Sequence, residues 1–280
     1  KEKPDFLLIH LITSLPIFLS IFFNKKTKII LRISGLPKLN MLRYLLWRVF
    51  SNNIYKVTCP TESTYKHILS LKIFDNNKVF ILRDPVINMK EYVKKKREKV
   101  FDKNFLNKKY LISAGRLTKQ KNFKLLISSF FEILKRYPNY NLIILGEGEL
   151  RKDLEELTIQ LKINKNVQFL GYQNNIYKFF SQCDCFILSS LWEDPGFVLI
   201  EAALSNLNII ASNCPNGPSE ILDNSNFLFK NNDELDLVKK FIDFKEMNSA
   251  HLFKNRVKVK KNIKKFTKFQ HFLTLKNILT

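Results

Sequence analysis

The chain has 280 residues, a net charge of +22 and only seven glycines. Average usage would supply roughly twenty glycines, so collagen-like, Gly/Ser-linker and low-complexity architectures are excluded. With 45% hydrophobic and 26% charged residues the composition is globular, and the length suits two domains with buried cores.

The positive charge is uneven. Residues 1–109 carry 23 Lys and Arg against 8 Asp and Glu, residues 110–250 carry 15 against 17, and residues 251–280 carry 9 against none. The excess lies at the two ends and suits an anionic partner, whether lipid headgroups, nucleic acid or phosphorylated substrates. Compositional bias is the competing reading, since Lys and Asn are abundant along the whole chain. Cys59, Cys183, Cys185 and Cys214 form no Cys-x-x-Cys pair. His is too sparse nearby for a zinc site, Cys183 and Cys185 flank an apolar run and read as buried thiols, and nothing argues for an oxidising compartment.

In chain order, Phe6–Phe23 has the length and apolarity of a membrane span. Its internal His10, Thr13, Ser14 and Pro16 favour a buried strand ending near His10 and then a helix with Pro16 in its first turn. The chain has no initiator Met and opens almost directly on this strand, as a fragment lacking its natural start would. Strands are expected at Phe6–Ile9, Lys28–Ile33, Lys56–Cys59 and Lys78–Leu82, with helices at Leu11–Phe23, Lys38–Phe50 and Thr61–Leu71. The charged stretch Asn88–Lys109, which contains KKKREK, reads as an exposed linker or linker helix.

The alternation then restarts. Strands are expected at Tyr110–Ala114, Leu142–Leu145, Val167–Leu170, Cys185–Ser189 and Asn208–Ala211. Helices are expected at Asn122–Tyr137, Leu150–Leu161, Ile176–Gln182 and Phe197–Leu204, and a basic helical stretch at Asn248–Asn277. Strands alternating with helices specify parallel α/β sheets. The expected domains are 1–88, a linker at 89–109, 110–247, and a basic C-terminal segment at 248–280.

Gly35, Gly115, Gly146 and Gly171 fall just past expected strand ends, Gly148 follows closely, and Gly196 and Gly217 lie in the next two such loops. That is the edge where open parallel sheets bind ligands. Glu193 and Glu201 are eight residues apart around Pro195–Gly196. Free amides at the start of the following helix suit an anion, and the two carboxylates suit sugar or ribose hydroxyls. Arg116 at a strand end and Lys121 at a helix start can converge on one anionic group. Together these groups suit a sugar joined to a diphosphate, with stabilisation of the charge that develops as the diphosphate leaves.

The motifs SAGRLTKQKN, LIILGEGEL, VQFLGY, SSLWEDPGFVLIEAA and SNCPNGPSEIL, in this order between Leu111 and Leu222, make the sequence resemble the retaining glycosyltransferases of family 4. The resemblance implies an α/β GT-B architecture of two Rossmann-like domains whose parallel sheets face a central cleft. Here the first domain would be partial, because residues 5–88 resemble only its later half. It implies that Arg116 and Lys121 bind the donor diphosphate and act with Glu193 as the catalytic groups. Glu193 would contact the donor sugar, with the amides of Gly196, Phe197 and Val198 near sugar and phosphate, and Glu201 would hold the ribose. Gly146 and Gly148 would line the nucleotide, with Phe169, Leu170 and Gly171 at the base.

His10 matches a family histidine that touches the donor sugar, its other reading being a capping or core histidine. The Asp194–Phe197 loop departs from the small-residue loop of many members. No metal and no cofactor are implied beyond the nucleotide-sugar donor, and anomeric configuration would be retained. The implied partners are that donor and a glycan or lipid-linked acceptor in cell-envelope polysaccharide or glycolipid synthesis. The implied place is the cytoplasm, peripheral to the inner face of an anionic membrane. The competing readings are a basic nucleic-acid- or membrane-binding protein and a GT-B nucleotide-sugar epimerase. Nucleic acid is not expected, since no RNA-binding signature or basic-aromatic strip is present.

Overall fold

The computed structural model describes residues 4–10, 14–20, 26–98, 109–223 and 226–280. The chain forms two compact units, Lys1–Pro85 with Lys265–Thr280, and Val86–Lys264.

The first unit holds β1 (Phe6–His10), α1 (Ser14–Leu19), β2 (Lys28–Arg32), α2 (Met41–Phe50), β3 (Lys56–Cys59), α3 (Glu62–Ser70) and β4 (Val79–Ile81). Its four strands run parallel in sequence order. β2 is buried along four of its five residues, as the continuous run IILR requires of a strand covered on both faces. β1 was expected to be buried but is only half-buried, because at the sheet edge it has one neighbour. Residues 11–13 and 21–23 of the helix expected there lie outside the described residues. Thr61 and Asn40 start α3 and α2 by accepting the amides of Thr64 and Arg43, the pairing that makes such residues preferred helix caps. Arg32 is buried, donates to the Leu82 carbonyl at 2.9 Å and pairs with Asp84 at 2.5 Å, which ties β2 to the chain after β4.

The second unit begins with α4 (Met89–Lys96) inside the stretch expected as a linker; residues 99–108 of that stretch lie outside the described residues. Then follow β5 (Lys109–Ala114), α5 (Phe123–Arg136), β6 (Tyr140–Leu145), α6 (Arg151–Gln160), β7 (Val167–Phe169), α7 (Tyr177–Phe180), β8 (Cys185–Leu188), α8 (Phe197–Leu204) and β9 (Asn208–Ser212). The stretch after β9, where periodicity marks no element, folds as α9 (Pro218–Ile221), β10 (Leu228–Phe229) and α10 (Glu234–Glu246). The expected single basic helix is broken into α11 (Ser249–Asn262) and α12 (Lys268–Leu279) by a 3₁₀ turn at Ile263–Phe266. Thr267 ends the break by capping α12, and α12 joins the first unit, where His271 Nδ1 lies 2.6 Å from the Arg83 carbonyl oxygen.

The six strands of the second unit are all parallel in the order β10-β9-β8-β5-β6-β7. The chain lays β6 and β7 on one side of β5, then crosses back to lay β8, β9 and β10 on the other. The order therefore reverses between β5 and β8, and the loops that leave these two strands diverge to open a crevice. α5 and α10 pack together over the sheet. Tyr137 and Tyr140 meet Phe241 edge-on at 5.5 and 5.3 Å, and Phe130 is fully buried. Phe130→Ala is expected to lower the unfolding free energy by about 3–5 kcal/mol. A shift in urea unfolding under about 1 kcal/mol would show that the site collapses around the loss.

Candidate functional site

The loops at the carboxyl edge of the second sheet are sewn together beyond the strand ladders. Gly115 donates its amide to Leu145, Leu117 to Glu147, Leu150 to Leu117, and Gly146 to Gly171, all at 2.7–3.0 Å. These four bonds join the loops after β5, β6 and β7. Across the crevice, Leu191 donates to the Gln120 carbonyl, Gln120 Nε2 to Trp192 and Ser189 Oγ to Lys121. Glu193 donates its amide to Pro215, and Asn216 Nδ2 donates to Asp194 Oδ1 at 2.6 Å. Glycine is required where these loops touch. Gly146 has φ +133°, and a Cβ there would lie 1.9 Å from the Gly115 oxygen, closer than any atom pair tolerates.

A cavity of about 600 Å³ opens at this edge. Arg116, Gly146, Val198 and Glu201 line it, as do Glu147, Tyr172, Gln173 and Ile176, which the sequence reading missed. Arg116 is exposed and forms no ion pair among the described residues. Gly196, in the left-handed conformation at φ +89°, starts α8 without a side-chain cap. Leu199 donates its amide to the Gly196 carbonyl, and the amides of Phe197 and Val198 are left for an anion or solvent. At one wall the cavity offers a guanidinium and at another a carboxylate.

Lys121 and Glu193 are brought together rather than left open. Lys121 Nζ lies 2.6 and 2.8 Å from the two Glu193 oxygens, and Ser190 Oγ donates to Oε1 at 2.5 Å. The two side chains are 15% and 3% exposed. Lys121 thus sits on Glu193 in this structure instead of converging with Arg116. Its stem passes 3.3 Å from where a Gly115 Cβ would stand, and the Glu193 stem lies 3.2 Å from the corresponding position at Gly196. Gly148 is filled against Leu117, and the Phe169 carbonyl accepts from Arg151 Nη2 at 3.2 Å. Leu170 donates its amide to Ile144, and Phe197 opens α8. His10 belongs to the first unit, at the end of β1, where Nε2 lies 3.0 Å from Ser34 Oγ. Burial pushes the Cys214 thiol up to about 11, with Ser212 opposing, so it is not an activated nucleophile.

α4 touches this site, which its charge run did not announce. Asn175 is buried; its Nδ2 donates to the Lys95 carbonyl and to Glu98 Oε2, each at 2.9 Å, and its Oδ1 accepts the Tyr177 amide. Tyr92 stacks edge-on against Tyr177 at 5.1 Å. Burial pushes the Glu201 carboxyl up to about 7, while Lys95 of α4 lowers it and Glu91 raises it. Glu201 therefore changes charge near neutral pH.

A family model described as glycosyl transferases group 1 matches residues 95–266. An uncharacterized glycosyltransferase of Methanocaldococcus jannaschii is 34% identical in an alignment of length 240 that covers 79% of this chain and 58% of the relative. The alpha-monoglucosyldiacylglycerol synthase of Acholeplasma laidlawii is 27% identical in an alignment of length 206 that covers 70% of this chain and 51% of the relative. The chain thus spans little more than half the length of these relatives. HepE of Anabaena, solved in complex with UDP and glucose, matches with a TM-score of 0.77 at 14% identity over 98% of this chain and 77% of that one. At that identity the likeness is one of fold.

Two measurements probe the site without any ligand. Lys121→Met strands a buried carboxylate and is expected to cost about 3–5 kcal/mol of stability, most of it recovered in Lys121→Met/Glu193→Gln. Additive losses in the double variant would contradict the pairing. For Glu201, a folded pKa raised above its ordinary 4.5 gives stability that is complete below that value and is lost as pH rises through about 7. Glu201→Gln should therefore melt above the wild type near pH 8, by roughly 2–4 °C for each kcal/mol regained. The two curves should converge below about pH 5; parallel curves would refute the shift.

Proposed function

Because the chain belongs to the group 1 glycosyl transferases and has a GT-B fold of Rossmann-like parallel-sheet units, we propose that its second unit binds a nucleoside-diphosphate sugar. On this reading the protein transfers the sugar to an acceptor hydroxyl as a family 4 retaining enzyme. The observation that carries it is the placing of Arg116 and Glu201 on one cavity at the carboxyl edge of a parallel sheet. Ribose hydroxyls donate and need an acceptor, which Glu201 supplies once ionised; phosphate oxygens need cations and N–H donors. Arg116, the amides of Phe197 and Val198 and the Lys121 charge supply those. The Gly146–Gly148 and Phe169–Gly171 loops would line the nucleotide with backbone.

In the proposed reaction the bond from the anomeric carbon to the diphosphate oxygen breaks. The acceptor oxygen bonds to that carbon on the same face, and its proton passes to the departing phosphate oxygen. No protein nucleophile is needed. The negative charge that grows on the diphosphate meets Arg116 and the amides of Phe197 and Val198, with the Lys121 charge behind them on Glu193. These charges also take the part that a divalent metal would play, and we assign no metal to the reaction. Glu193, covered by Lys121 and Ser190, is assigned to the donor sugar hydroxyls. UDP-sugars come first for testing, since HepE was solved with UDP and glucose. The name of the Acholeplasma relative and the basic ends of the chain favour a lipid-linked or glycan acceptor at the cytoplasmic face of a membrane.

Thermal shift with a panel of nucleoside-diphosphate sugars tests the donor reading. One class should raise the melting temperature, and Arg116→Ala should weaken its binding roughly tenfold or more, the worth of a charge-assisted hydrogen bond. Binding of that donor should strengthen as pH rises through about 7 in the wild type but not in Glu201→Gln. No shift from any such sugar, or unchanged affinity in both variants, would overturn the assignment. Turnover in the whole enzyme should survive chelators and give a product with the donor's anomeric configuration.

A further inference from the structure

From Phe6 to Thr61 the sequence runs 56 residues without an Asp or Glu while carrying eight Lys or Arg. Average composition would place roughly six or seven acids in such a stretch. Within it α2 is apolar on two sides. Trp47 is fully buried against the first unit's core, with Tyr44, Leu46 and Phe50 packed beside it. On the other side Met41, Leu42, Leu45 and Val49 are 75%, 74%, 50% and 67% exposed. Positions 41, 45 and 49 are spaced by four, so they stack along one helix face.

α1 is fastened next to this face. Ser14 Oγ accepts from Trp47 Nε1 at 3.0 Å and from Arg43 Nε at 3.2 Å. Phe18 meets Phe50 edge-on at 5.6 Å while remaining 41% exposed, and Leu15 is 57% exposed. Lys38, just before α2, and Arg48, on α2 itself, are both exposed. A surface helix of a water-soluble domain turns a polar face outward. Here the outward face is apolar, cationic at its margins and free of acids, which is the composition of a helix that lies in a bilayer interface.

We propose that the α1–α2 face of the first unit docks on an anionic lipid bilayer. Met41, Leu42, Leu45 and Val49 sit at the acyl boundary, and Lys38 and Arg48 meet lipid phosphates. α1 and α2 have six and ten residues, and no helix among the described residues is long and apolar enough to cross a membrane. The contact is therefore interfacial. A second copy of the chain is the poorer occupant, because pairing two such faces brings like charges together with no acid to offset them. The inference rests on the membrane placement proposed above and adds the face that makes it.

Flotation of the 280-residue chain with vesicles of phosphatidylcholine alone, or mixed with phosphatidylglycerol, tests it. Binding should require the anionic lipid and fall with salt. Lys38→Glu/Arg48→Glu should reduce it about fivefold or more per charge. Leu42→Ser/Leu45→Ser should reduce it at least tenfold, from the apolar area lost. Lys254→Glu/Lys261→Glu on α11 should leave it within about twofold. All substituted side chains are exposed, and melting temperature and nucleotide-sugar binding in the same samples report an intact fold and donor site. Unchanged binding in both α2 variants with loss in the α11 variant would overturn the face and keep the membrane. No vesicle binding by the wild type would overturn both and leave the donor reading untouched. Self-association that the serine variant abolishes, in place of vesicle binding, would assign the face to a second copy.

Discussion

Glu193 is a carboxylate that almost no water reaches, and everything at the carboxyl edge of the second sheet is arranged so that it can stay there. A buried charge is tolerable only beside a counter-charge with its remaining lone pairs filled. Lys121 supplies the cation and Ser190 a hydroxyl donor. The pair bridges the loops that leave β5 and β8, the two strands between which the chain order reverses. The crevice is thus held at its midpoint by one ion pair. The loops after β6, β7 and β9 then join by main-chain and amide contacts, so the cavity is formed before any ligand arrives.

α4 adds a second layer of control. It lies outside the sheet, yet Asn175 fixes its carboxyl end and Tyr92 its middle against α7. That anchorage brings Glu91 and Lys95, themselves paired at 2.6 Å, into the electrostatic surroundings of Glu201. The protonation of a group on the cavity wall is therefore set partly by a helix that contributes no lining residue.

Much of this was legible in the sequence. The runs of β-branched residues place nine of the strands to within two residues, because a strand buried on both faces leaves an unbroken apolar run. The glycines mark the loops because several stand where another backbone passes within contact distance. Arg116 and Glu201 were recognisable because the positions just past a strand and one turn into a helix fix where a side chain emerges. What stayed hidden depended on partners far along the chain. Nothing local says that Lys121 takes Glu193, 72 residues away, or that α4 is pinned by Asn175. β10 is too short at two residues to show a period. α10 follows directly on its polar loop, although Asp233 caps it and Leu237, Phe241 and Phe244 have helical spacing. Tyr172 and Gln173 reach the cavity from a loop, where periodicity has nothing to report.

The stitching of the edge loops by peptide groups rather than by side chains has a consequence for how such a cavity can change. A peptide hydrogen bond survives exchange of the residue that bears it, so the loop positions and the side chains they carry are separable properties. Tyr172, Gln173 and Ile176 line the wall without appearing among the bonds that join the loops after β5, β6 and β7. They behave as interchangeable fittings on a fixed frame. The shape and polarity of that wall can then drift, or be engineered, one residue at a time with the loop frame left standing.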